Sequence, residues 1–396
     1  MKLKLIKRIL CLIMVSIVIM NFDSTTNKGT FGYDVERLQK GIDDIIILKS
    51  EESLVAVSPS FQARVFTSST NGFNGVSRGW INWKLLDTKK HLNSFAYLGG
   101  ESRFWFGPEF GEYSIFFDPG KPQQSKYMRA PKDLDSVKFK KTTQTNTSVT
   151  ANGTMTITNT KGTNFHLDID REISILNTSE INKGLGISVP KELSKVAFSA
   201  KTKIKNIGSH AWNKKSGLLS IWELGCNLTA SDTKVIIPLQ KDADSIISYF
   251  SPLTKERLRI KDKVAYFKGD AKHVSKIGIS PQYTKNSMGS YSPSLNLLNI
   301  VTFTFEDEQL YVNSIPGNST PYTGDVINIF NGDVNEKKEA NWPFYEFESS
   351  SAAKELKVGD ILQHIQTTYH FEGTTEQLNS IAKQVLGIHL DEIPTF

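Results

Sequence analysis

The stretch GTMTITNTKGTNFHLDIDREISIL, residues 153–176, carries the clearest fold signal in this chain of 396 residues. Threonine occupies every second position from Thr154 to Thr160, with Met155 and Ile157 between them. This alternation is typical of a strand that has one face in water. A second run, rich in β-branched and aromatic residues, follows from Phe165 to Leu176. The segment therefore predicts two consecutive β-strands.

Short runs of the same kind continue from about residue 44 to residue 372, separated by turn residues such as Asn-Gly and Pro-Gly. Runs rich in Val, Ile, Thr, Phe and Tyr between such turns favour an antiparallel, all-β protein. The other clear predicted strands are Ser53–Val57, Arg64–Ser68, Tyr113–Phe117, Ala197–Asn206, Val235–Leu239, Ile300–Phe305 and Gln363–Phe371.

Two segments have helical spacing instead. The first predicts a short N-terminal helix that runs directly into a strand at Ile46–Leu48, and its apolar residues are Val35, Leu38, Ile42 and Ile45. The second follows a cap candidate at Thr374-Thr375 and predicts a C-terminal helix packed on the sheet, with apolar residues Leu378, Ile381, Ala382, Val385 and Leu386. Because no repeat or long linker interrupts the chain, residues 30–396 are expected to form one domain.

Composition and charge exclude several classes of protein. Hydrophobic residues make up 39% and charged residues 22% of the chain, which is ordinary for a globular domain and excludes global disorder. The formal net charge is +6, but four basic residues lie in the first 20 positions, where there is no acid, so the remainder carries +2. So small a charge argues against a nucleic-acid partner. We expect a monomer.

Residues 1–22 resemble a leader, with a basic start and an apolar run of 12 residues from Ile9 to Met20. A helix that spans a bilayer needs roughly 20 residues, so the segment predicts a signal peptide or a short N-terminal anchor. The residues after the run are not small, which leaves anchoring open, and Cys11 lies inside the run, where lipid attachment is doubtful. We expect export to the periplasm or the extracellular space, with membrane contact only through this leader.

The sequence GGESRFWFGPEFG, residues 99–111, mixes flexible glycines, aromatic residues and charges. Ordinary core does not combine these, because charges buried with aromatic rings must be paired. The mixture predicts a concave site lined by Glu101, Arg103, Trp105 and Glu109. Trp105 and Trp342 are also candidates to stack on sugar rings, since each adjoins charged or amide groups.

Strand alternation places Phe344, Glu346 and Glu348 on one face, with the two carboxylates about 7 Å apart. They are either a base and a positioning group or a solvent-facing polar edge.

His364 and His370 share a face of the last strand. At about 3.3 Å per residue they lie near 20 Å apart, so they cannot share one metal ion. His364 is the better candidate for proton transfer.

Other site chemistries have weaker support. Oxygen ligands in the segment 322–333 would allow a bound calcium near Asp325, but their spacing is not that of an EF-hand, and a strand with an Asn-Gly turn explains them better. We therefore expect no cofactor.

The sequence has no phosphate-binding glycine loop, no GxSxG elbow and no HExxH motif. Nucleotide-binding, serine-hydrolase and zinc-protease functions therefore lack support. Cys226, the one cysteine after the leader, is interpreted as a small buried hydrophobe.

Ordered motifs along the chain resemble an uncharacterised family of secreted bacterial proteins with a galactose-mutarotase-like, β-supersandwich domain. The motifs are GYDVERLQK (32–40), VAVSPSFQARVFTSS (55–69), GWINWKLL (79–86), GGESRFWFGPEFGEYSIFF (99–117), SGLLSIWELG (216–225), SKIGISP (275–281), YVNS (311–314), GDVINIFN (324–331) and PFYEFESSSAA (343–353). The resemblance implies a large antiparallel supersandwich and a carbohydrate ligand.

A more distant resemblance to aldose 1-epimerases implies roles for particular residues. Their catalytic base corresponds to Glu348, with Glu346 as the alternative, and Arg103 would hold a sugar hydroxyl or carboxylate. Arg64 is a further candidate for substrate binding. Where these enzymes carry an acid histidine this chain has Ser220, so either His364 replaces the acid or the reaction does not occur.

Three functions stay open at this point. The first is a carbohydrate-active or carbohydrate-binding protein, either an epimerase or mutarotase with Glu348 as the base or a protein that only binds. The second is a non-catalytic glycan-binding or structural envelope protein. The third is a glycoside hydrolase or lyase, in which Glu101 or Glu109 would face Glu348 across the scissile bond.

Overall fold

The computed structural model describes residues 27–88, 95–244, 246–250, 252–307, 309–333 and 342–396. The predicted leader, with Cys11, lies outside the described residues. Among the residues described, no helix is both long and apolar enough to cross a bilayer.

Antiparallel strands dominate the structure, which confirms the all-β prediction. In chain order they are Ile46–Ser50 (β1), Ser53–Ser58 (β2), Arg64–Ser69 (β3), Arg103–Gly107 (β4), Lys140–Gln144 (β5), Ser148–Thr158 (β6), Asn164–Ile175 (β7), Ser194–Asn206 (β8), Ser220–Leu228 (β9), Lys234–Pro238 (β10), Ile247–Ser248 (β11), Leu258–Lys261 (β12), Val264–Lys268 (β13), Lys272–Ile279 (β14), Ser287–Ser292 (β15), Leu297–Phe303 (β16), Ile327–Asp333 (β17), Phe344–Ser350 (β18) and Ile361–Glu372 (β19).

The strands form three sheets. The largest has ten strands in the order β12-β13-β10-β15-β16-β19-β8-β7-β6-β5, and the second has six in the order β11-β14-β17-β18-β9-β4. Strands β1, β2 and β3 form a third, small sheet. Neighbouring strands in all three are antiparallel, as in the pair β6–β7 that the opening segment predicts.

The described residues include five α-helices: Phe31–Gln39 (α1), Trp83–Leu86 (α2), Lys132–Ser136 (α3), Thr178–Leu185 (α4) and Thr375–Leu386 (α5). Helix α5 confirms the C-terminal prediction, because Thr374 and Gln377 form the expected capping box. Its buried stripe packs in one core cluster with residues of the ten-stranded sheet, including Leu298 and Ile300.

Helix α1 is shorter than its apolar spacing predicts and does not run into β1. It ends at Gln39, and the strand begins at Ile46. Between them, the Asp44 carboxylate accepts hydrogen bonds from the Ser58 hydroxyl at 2.5 Å and from the Ser60 backbone N–H at 2.7 Å. These bonds hold residues around Asp44 in a turn, so the chain does not continue as a helix up to β1.

The predicted strand Tyr113–Phe117 is wrong. The segment is buried but irregular, and its backbone bonds go to separate loop positions: Ile115 N–H donates to Pro108 O at 3.2 Å, and Ser114 O accepts from Thr160 N–H at 2.8 Å. The Ser114 hydroxyl likewise donates to the Glu109 carbonyl at 2.5 Å. Apolar residues in a tightly turned loop produce the same sequence pattern as a strand, because both bury their side chains.

The ten-stranded and six-stranded sheets pack face to face. From β18 of the six-stranded sheet, the Tyr345 hydroxyl lies 2.7 Å from Ser290 Oγ of β15, and Ser349 Oγ lies 2.8 Å from His364 Nε2 of β19. We call the side of the six-stranded sheet that faces these contacts its inner face. Alternation along β18 then puts Phe344, Glu346, Glu348 and Ser350 on the opposite, outer face.

A fully buried ion pair joins the two sheets across the inner face. Arg171 of β7 pairs with Glu223 of β9, and neither side chain is exposed to solvent. Thr202 Oγ1 also donates to Glu223 at 2.6 Å, and the Arg171 guanidinium donates to Ser102 Oγ at 2.7 Å. Each charge thus has several partners, which burial requires.

Replacing Glu223 with alanine should therefore lower the free energy of unfolding by roughly 3–5 kcal/mol, because Arg171 would remain buried without its counter-charge. Chemical denaturation of both proteins measures the difference. The matched control is Glu172→Ala, since Glu172 lies on the same strand as Arg171 but forms an exposed pair with Lys201 at 3.5 Å. The control should lose less than about 1 kcal/mol, and equal losses in both variants would contradict the assigned role of the buried pair.

Candidate functional site

Charged and aromatic side chains meet on the outer face of the six-stranded sheet. Strand register sets their order, with Glu348 opposite Asn328 of β17 and Glu346 opposite Phe330. On the other side of β18, Ser350 is opposite Trp222 and Glu346 is opposite Cys226, both in β9. Five adjacent strands, β14, β17, β18, β9 and β4, thus each contribute a side chain to one surface.

Glu348 is the central acid of this surface. It is 1% exposed, and its Oε2 accepts a hydrogen bond from Trp222 Nε1 at 2.9 Å and lies 2.9 Å from Lys276 Nζ. Burial raises the pKa of Glu348 to about 7, although the Lys276 ammonium opposes the rise. A carboxyl that titrates near neutral pH can both take and return a proton.

Lys276 is buried and surrounded by favourable contacts for a cation. Its Nζ lies 4.5 Å from the centre of the Trp222 ring and 5.4 Å from the centre of the Tyr249 ring. Burial lowers the pKa of Lys276, but the carboxylates of Glu348, Glu109 and Glu346 together outweigh that effect, so the net pKa lies above its ordinary value. Lys276 therefore stays charged beside Glu348.

Glu346 has its own cation. Arg103 of β4 donates to Glu346 Oε1 at 2.9 Å, and the Cys226 thiol donates to the same oxygen at 3.0 Å. The Arg103 guanidinium also lies 5.2 Å from the centre of the Trp105 ring. Burial raises the pKa of the Cys226 thiol well above its ordinary value. Cys226 is thus a buried, protonated hydrogen-bond donor.

Asp325 closes the opposite side of the surface. Its Oδ2 accepts a hydrogen bond from the Tyr249 hydroxyl at 2.8 Å, whereas its buried Oδ1 has no hydrogen-bond partner. Burial raises the pKa of Asp325 to about 6. Gly278 makes room for this carboxylate, because a Cβ at that position would lie 1.8 Å from Asp325 Oδ2.

A small cavity lies between these groups. Asp325 and Ser220 both line it, and Ser220 Oγ is a second buried oxygen without a partner. The cavity volume is about 10 Å³, room for about one water molecule. Since buried polar atoms are nearly always hydrogen-bonded, the two oxygens need a polar partner, and one water molecule or one hydroxyl group of a ligand would supply it.

The structure does not bring His364 to Glu348. His364 is 0% exposed on the inner side, where its Nε2 lies 2.8 Å from Ser349 Oγ and its Nδ1 lies 2.9 Å from Thr304 Oγ1. Burial lowers the pKa of His364 to about 3, so the ring is neutral. The expected catalytic role is corrected to a structural one, because the sheet separates His364 from Glu348.

Glu101 and Arg64 are also outside the candidate site. Glu101 accepts hydrogen bonds from the backbone N–H and the hydroxyl of Ser68 and lies 2.9 Å from His370 Nε2. Arg64 donates to the carbonyl oxygens of Gly99 and Phe95 at 2.5 Å each. Both side chains hold the segment around residue 99 in place, so the expectation that they contact a substrate is corrected.

The remaining predicted residues lie on or beside the outer face. Trp105 packs against Trp222, with ring centres 5.5 Å apart. The Glu109 backbone N–H donates to Ser314 Oγ at 2.9 Å, and burial raises the pKa of the Glu109 carboxyl. Trp342 is 39% exposed, beyond the Glu346 end of the surface.

The oxygen groups predicted near Asp325 do not converge on one ion. Asn331 turns to the inner side, where its side chain accepts from Ala271 N–H at 2.8 Å and donates to His273 O at 2.8 Å. Across the described part of the chain, no cluster of three or more His, Cys, Asp or Glu side chains could hold a metal ion.

Sequence reasoning did not assign Lys276, Trp222 and Tyr249 to the site. Lys276 had a usable signal, because a lysine within the strand sequence SKIGISP is surrounded by apolar and small residues. A charge in such a strand needs a partner. The partner, Glu348, is 72 positions further along, so the pairing itself could not be inferred.

The raised pKa of Asp325 predicts a pH-dependent effect on stability. The folded state holds the Asp325 proton from pH 3.8 to about 6 while the unfolded state releases it, so wild-type stability falls through this window as pH rises. Asp325→Asn removes the loss, and its stability relative to wild type should increase by about 2 kcal/mol between pH 4 and pH 8. Denaturation at both pH values tests this.

The control for that experiment is Asp262→Asn, at a side chain that is 83% exposed, which should show no such pH dependence. A constant difference between Asp325→Asn and wild type across the pH range would contradict the raised pKa.

Solved structures share the fold of this chain. A candidate aldose 1-epimerase from Escherichia coli K12 has a TM-score of 0.50 and 9% identity, over 82% of this chain and 98% of that one. A galactose mutarotase-like protein from Lactobacillus casei ATCC 334 has a TM-score of 0.48 and 10% identity, over 82% and 99%. An aldose epimerase homologue from C. elegans has a TM-score of 0.45 and 9% identity, over 83% and 99%. The galactose-mutarotase-like fold is confirmed.

Sequence comparison assigns the chain to a family but not to an activity. No curated protein matches it in sequence. One family model matches residues 29–396, a range that contains every strand and helix described above. The chain therefore belongs to DUF6786, a family of unknown function.

Proposed function

We propose that this protein binds a carbohydrate on the outer face of the six-stranded sheet and interconverts sugar anomers or epimers, with Glu348 as the base. The observation that carries the proposal is the environment of Glu348. This buried carboxyl has a pKa of about 7 and contacts both an indole N–H and an ammonium group. The predicted export to the periplasm or the extracellular space is part of the same proposal.

The proposed reaction needs one base and one acid. The Glu348 carboxylate takes the proton of the anomeric hydroxyl, the bond between the anomeric carbon and the ring oxygen breaks, and the ring oxygen receives a proton from the acid. Rotation and the reverse transfers give the other anomer. Asp325 supplies the acid, because its unpaired oxygen lines the cavity and its pKa is about 6.

Two further observations support a sugar as the ligand. The aromatic rings of Trp105 and Trp222 lie beside charged groups, a combination that suits a ring with apolar faces and hydroxyl edges. The structural relative at a TM-score of 0.50 is described as a candidate aldose 1-epimerase.

A non-catalytic glycan-binding protein is the second candidate. The cavity of about 10 Å³ favours it, because a reacting sugar ring is much larger than this cavity and would have to displace groups that line it. A hydrolase or lyase has less support. Glu101 lies on the inner side, and Glu346 is already bound by Arg103, which leaves Glu109 as the possible second carboxyl.

Glu348→Gln tests the catalytic proposal. The variant should still bind the sugar that wild type binds but should lose at least about 100-fold of the anomer interconversion rate, the typical contribution of general acid–base catalysis. Ligand-observed NMR with common aldoses measures binding, and magnetisation exchange between anomers measures turnover. Glu172→Gln, at an exposed glutamate of the ten-stranded sheet, is the control and should match wild type.

Binding without any interconversion above the uncatalysed rate, in wild type as well as in Glu348→Gln, would replace the epimerase with the glycan-binding candidate. If no aldose in the panel binds and none is interconverted, the carbohydrate proposal fails.

The activity should also depend on pH. Because the base Glu348 must be deprotonated while the acid Asp325 is protonated, kcat/KM should be highest between about pH 6 and about 7. Its fall at higher pH should begin at a midpoint of about 7, where Glu348 has lost its proton in the free protein and only the loss of the Asp325 proton continues. Lys276→Met removes the ammonium that stabilises the carboxylate, so this midpoint should move to higher pH. A midpoint that stays near 7 in Lys276→Met would assign the titration to another group.

A further inference from the structure

An aromatic strip extends the outer face beyond the charged cluster. It consists of Trp80, Phe250, Phe330, Trp342 and Phe344. Phe330 is at its centre, with ring-centre distances of 6.5 Å to Phe250, 6.1 Å to Trp342 and 5.8 Å to Phe344. Trp80 continues the strip at 4.2 Å from Phe344.

Two residues of the strip are open to solvent, although Phe344 is buried. Phe250 is 57% exposed and Trp342 is 39% exposed, whereas Glu348 is 1% exposed. Leu228, the cross-strand partner of Phe344, adds an apolar side chain that is also 39% exposed. Contiguous apolar patches of this kind on a folded protein usually mark a binding surface.

Strand register connects the strip directly to the candidate site. Phe330 is the cross-strand neighbour of both Glu346 and Lys276. Phe344 precedes Glu346 by two positions on the same face of β18, a separation of about 7 Å. The strip and the charged cluster are therefore consecutive parts of one surface.

The chemistry of the strip suits a sugar residue that does not react. Ring faces pack against the C–H faces of sugars without needing a particular hydroxyl pattern, and the strip contributes five rings but no charge. The charged cluster, in contrast, offers carboxylates, an ammonium and a guanidinium, which bind hydroxyl groups. A ligand that uses both parts must be longer than one sugar ring.

We propose that the aromatic strip is a second binding subsite and that the ligand is a glycan of two or more sugar residues, held by its terminal residue at Glu348 and by the next residue on Phe330 and Trp342. This inference rests on the proposed carbohydrate function. It adds that a disaccharide binds more tightly than a monosaccharide.

Isothermal calorimetry with chain-length series tests the inference. The probes are glucose, maltose and maltotriose, galactose with its β1,4-linked dimer and trimer, and N-acetylglucosamine with its β1,4-linked dimer and trimer. In a series that binds, affinity should rise about tenfold or more from monosaccharide to disaccharide, which corresponds to about 1.4 kcal/mol. The double variant Phe250→Ala/Trp342→Ala should lose this gain and keep the monosaccharide affinity.

Both substituted side chains are exposed, so the double variant is expected to fold. The matched control is Ile361→Ala, since Ile361 is 56% exposed but lies on the ten-stranded sheet, and it should retain the full gain with chain length.

The outcomes separate this inference from the proposed function. Equal affinity for mono-, di- and trisaccharides, or a gain that survives in the double variant, overturns the subsite and leaves the carbohydrate function standing. If no probe binds, the carbohydrate function fails and the subsite fails with it. Light scattering completes the test, because a dimer in wild type that the double variant loses would assign the strip to contact between copies of this chain.

Discussion

Burial of charged groups on both faces of the six-stranded sheet constrains the rest of this structure. A charge removed from water needs a partner at close range, and the sheet meets this need differently on its two sides. On the inner face, Arg171 and Glu223 join strands of opposite sheets. On the outer face, Arg103 pairs with Glu346 and Lys276 with Glu348 within the sheet. The inner pair therefore connects the sandwich, while the outer pairs organise a surface.

The outer pairs also tune the chemistry of that surface. Burial pushes the carboxyl groups of Glu348 and Asp325 toward neutral pKa values, and Lys276 limits the rise at Glu348. Two buried carboxyl groups near the same lysine, with pKa values of about 7 and about 6, suit the proposed proton transfer. The resemblance to aldose 1-epimerases implied an acid histidine where this chain has Ser220, so the proposed reaction takes its acid from Asp325 instead.

The sequence predicted much of the fold from local patterns. Alternating Thr and apolar residues located β6 and β7, and a capping box located the start of α5. The same rule placed Glu346 and Glu348 on one face. It failed where local pattern and tertiary environment diverge, as in the buried loop Tyr113–Phe117, whose backbone bonds go to separate loop positions such as Pro108 and Thr160. Helical spacing also predicted too long an α1. The helix ends at Gln39, and the chain then turns where the Asp44 carboxylate accepts a hydrogen bond from the Ser58 hydroxyl.

The sequence by itself determined which side chains share a face, because alternation is a property of a single strand. Only the tertiary structure decided which face is inner. Glu101 and His364 sit between the sheets, while Lys276 and Asp325 join Glu348 on the other side. The physical reason is that these contacts join residues far apart in the chain, such as Trp222 and Glu348, 126 positions apart, and no local pattern encodes which sheet packs against which.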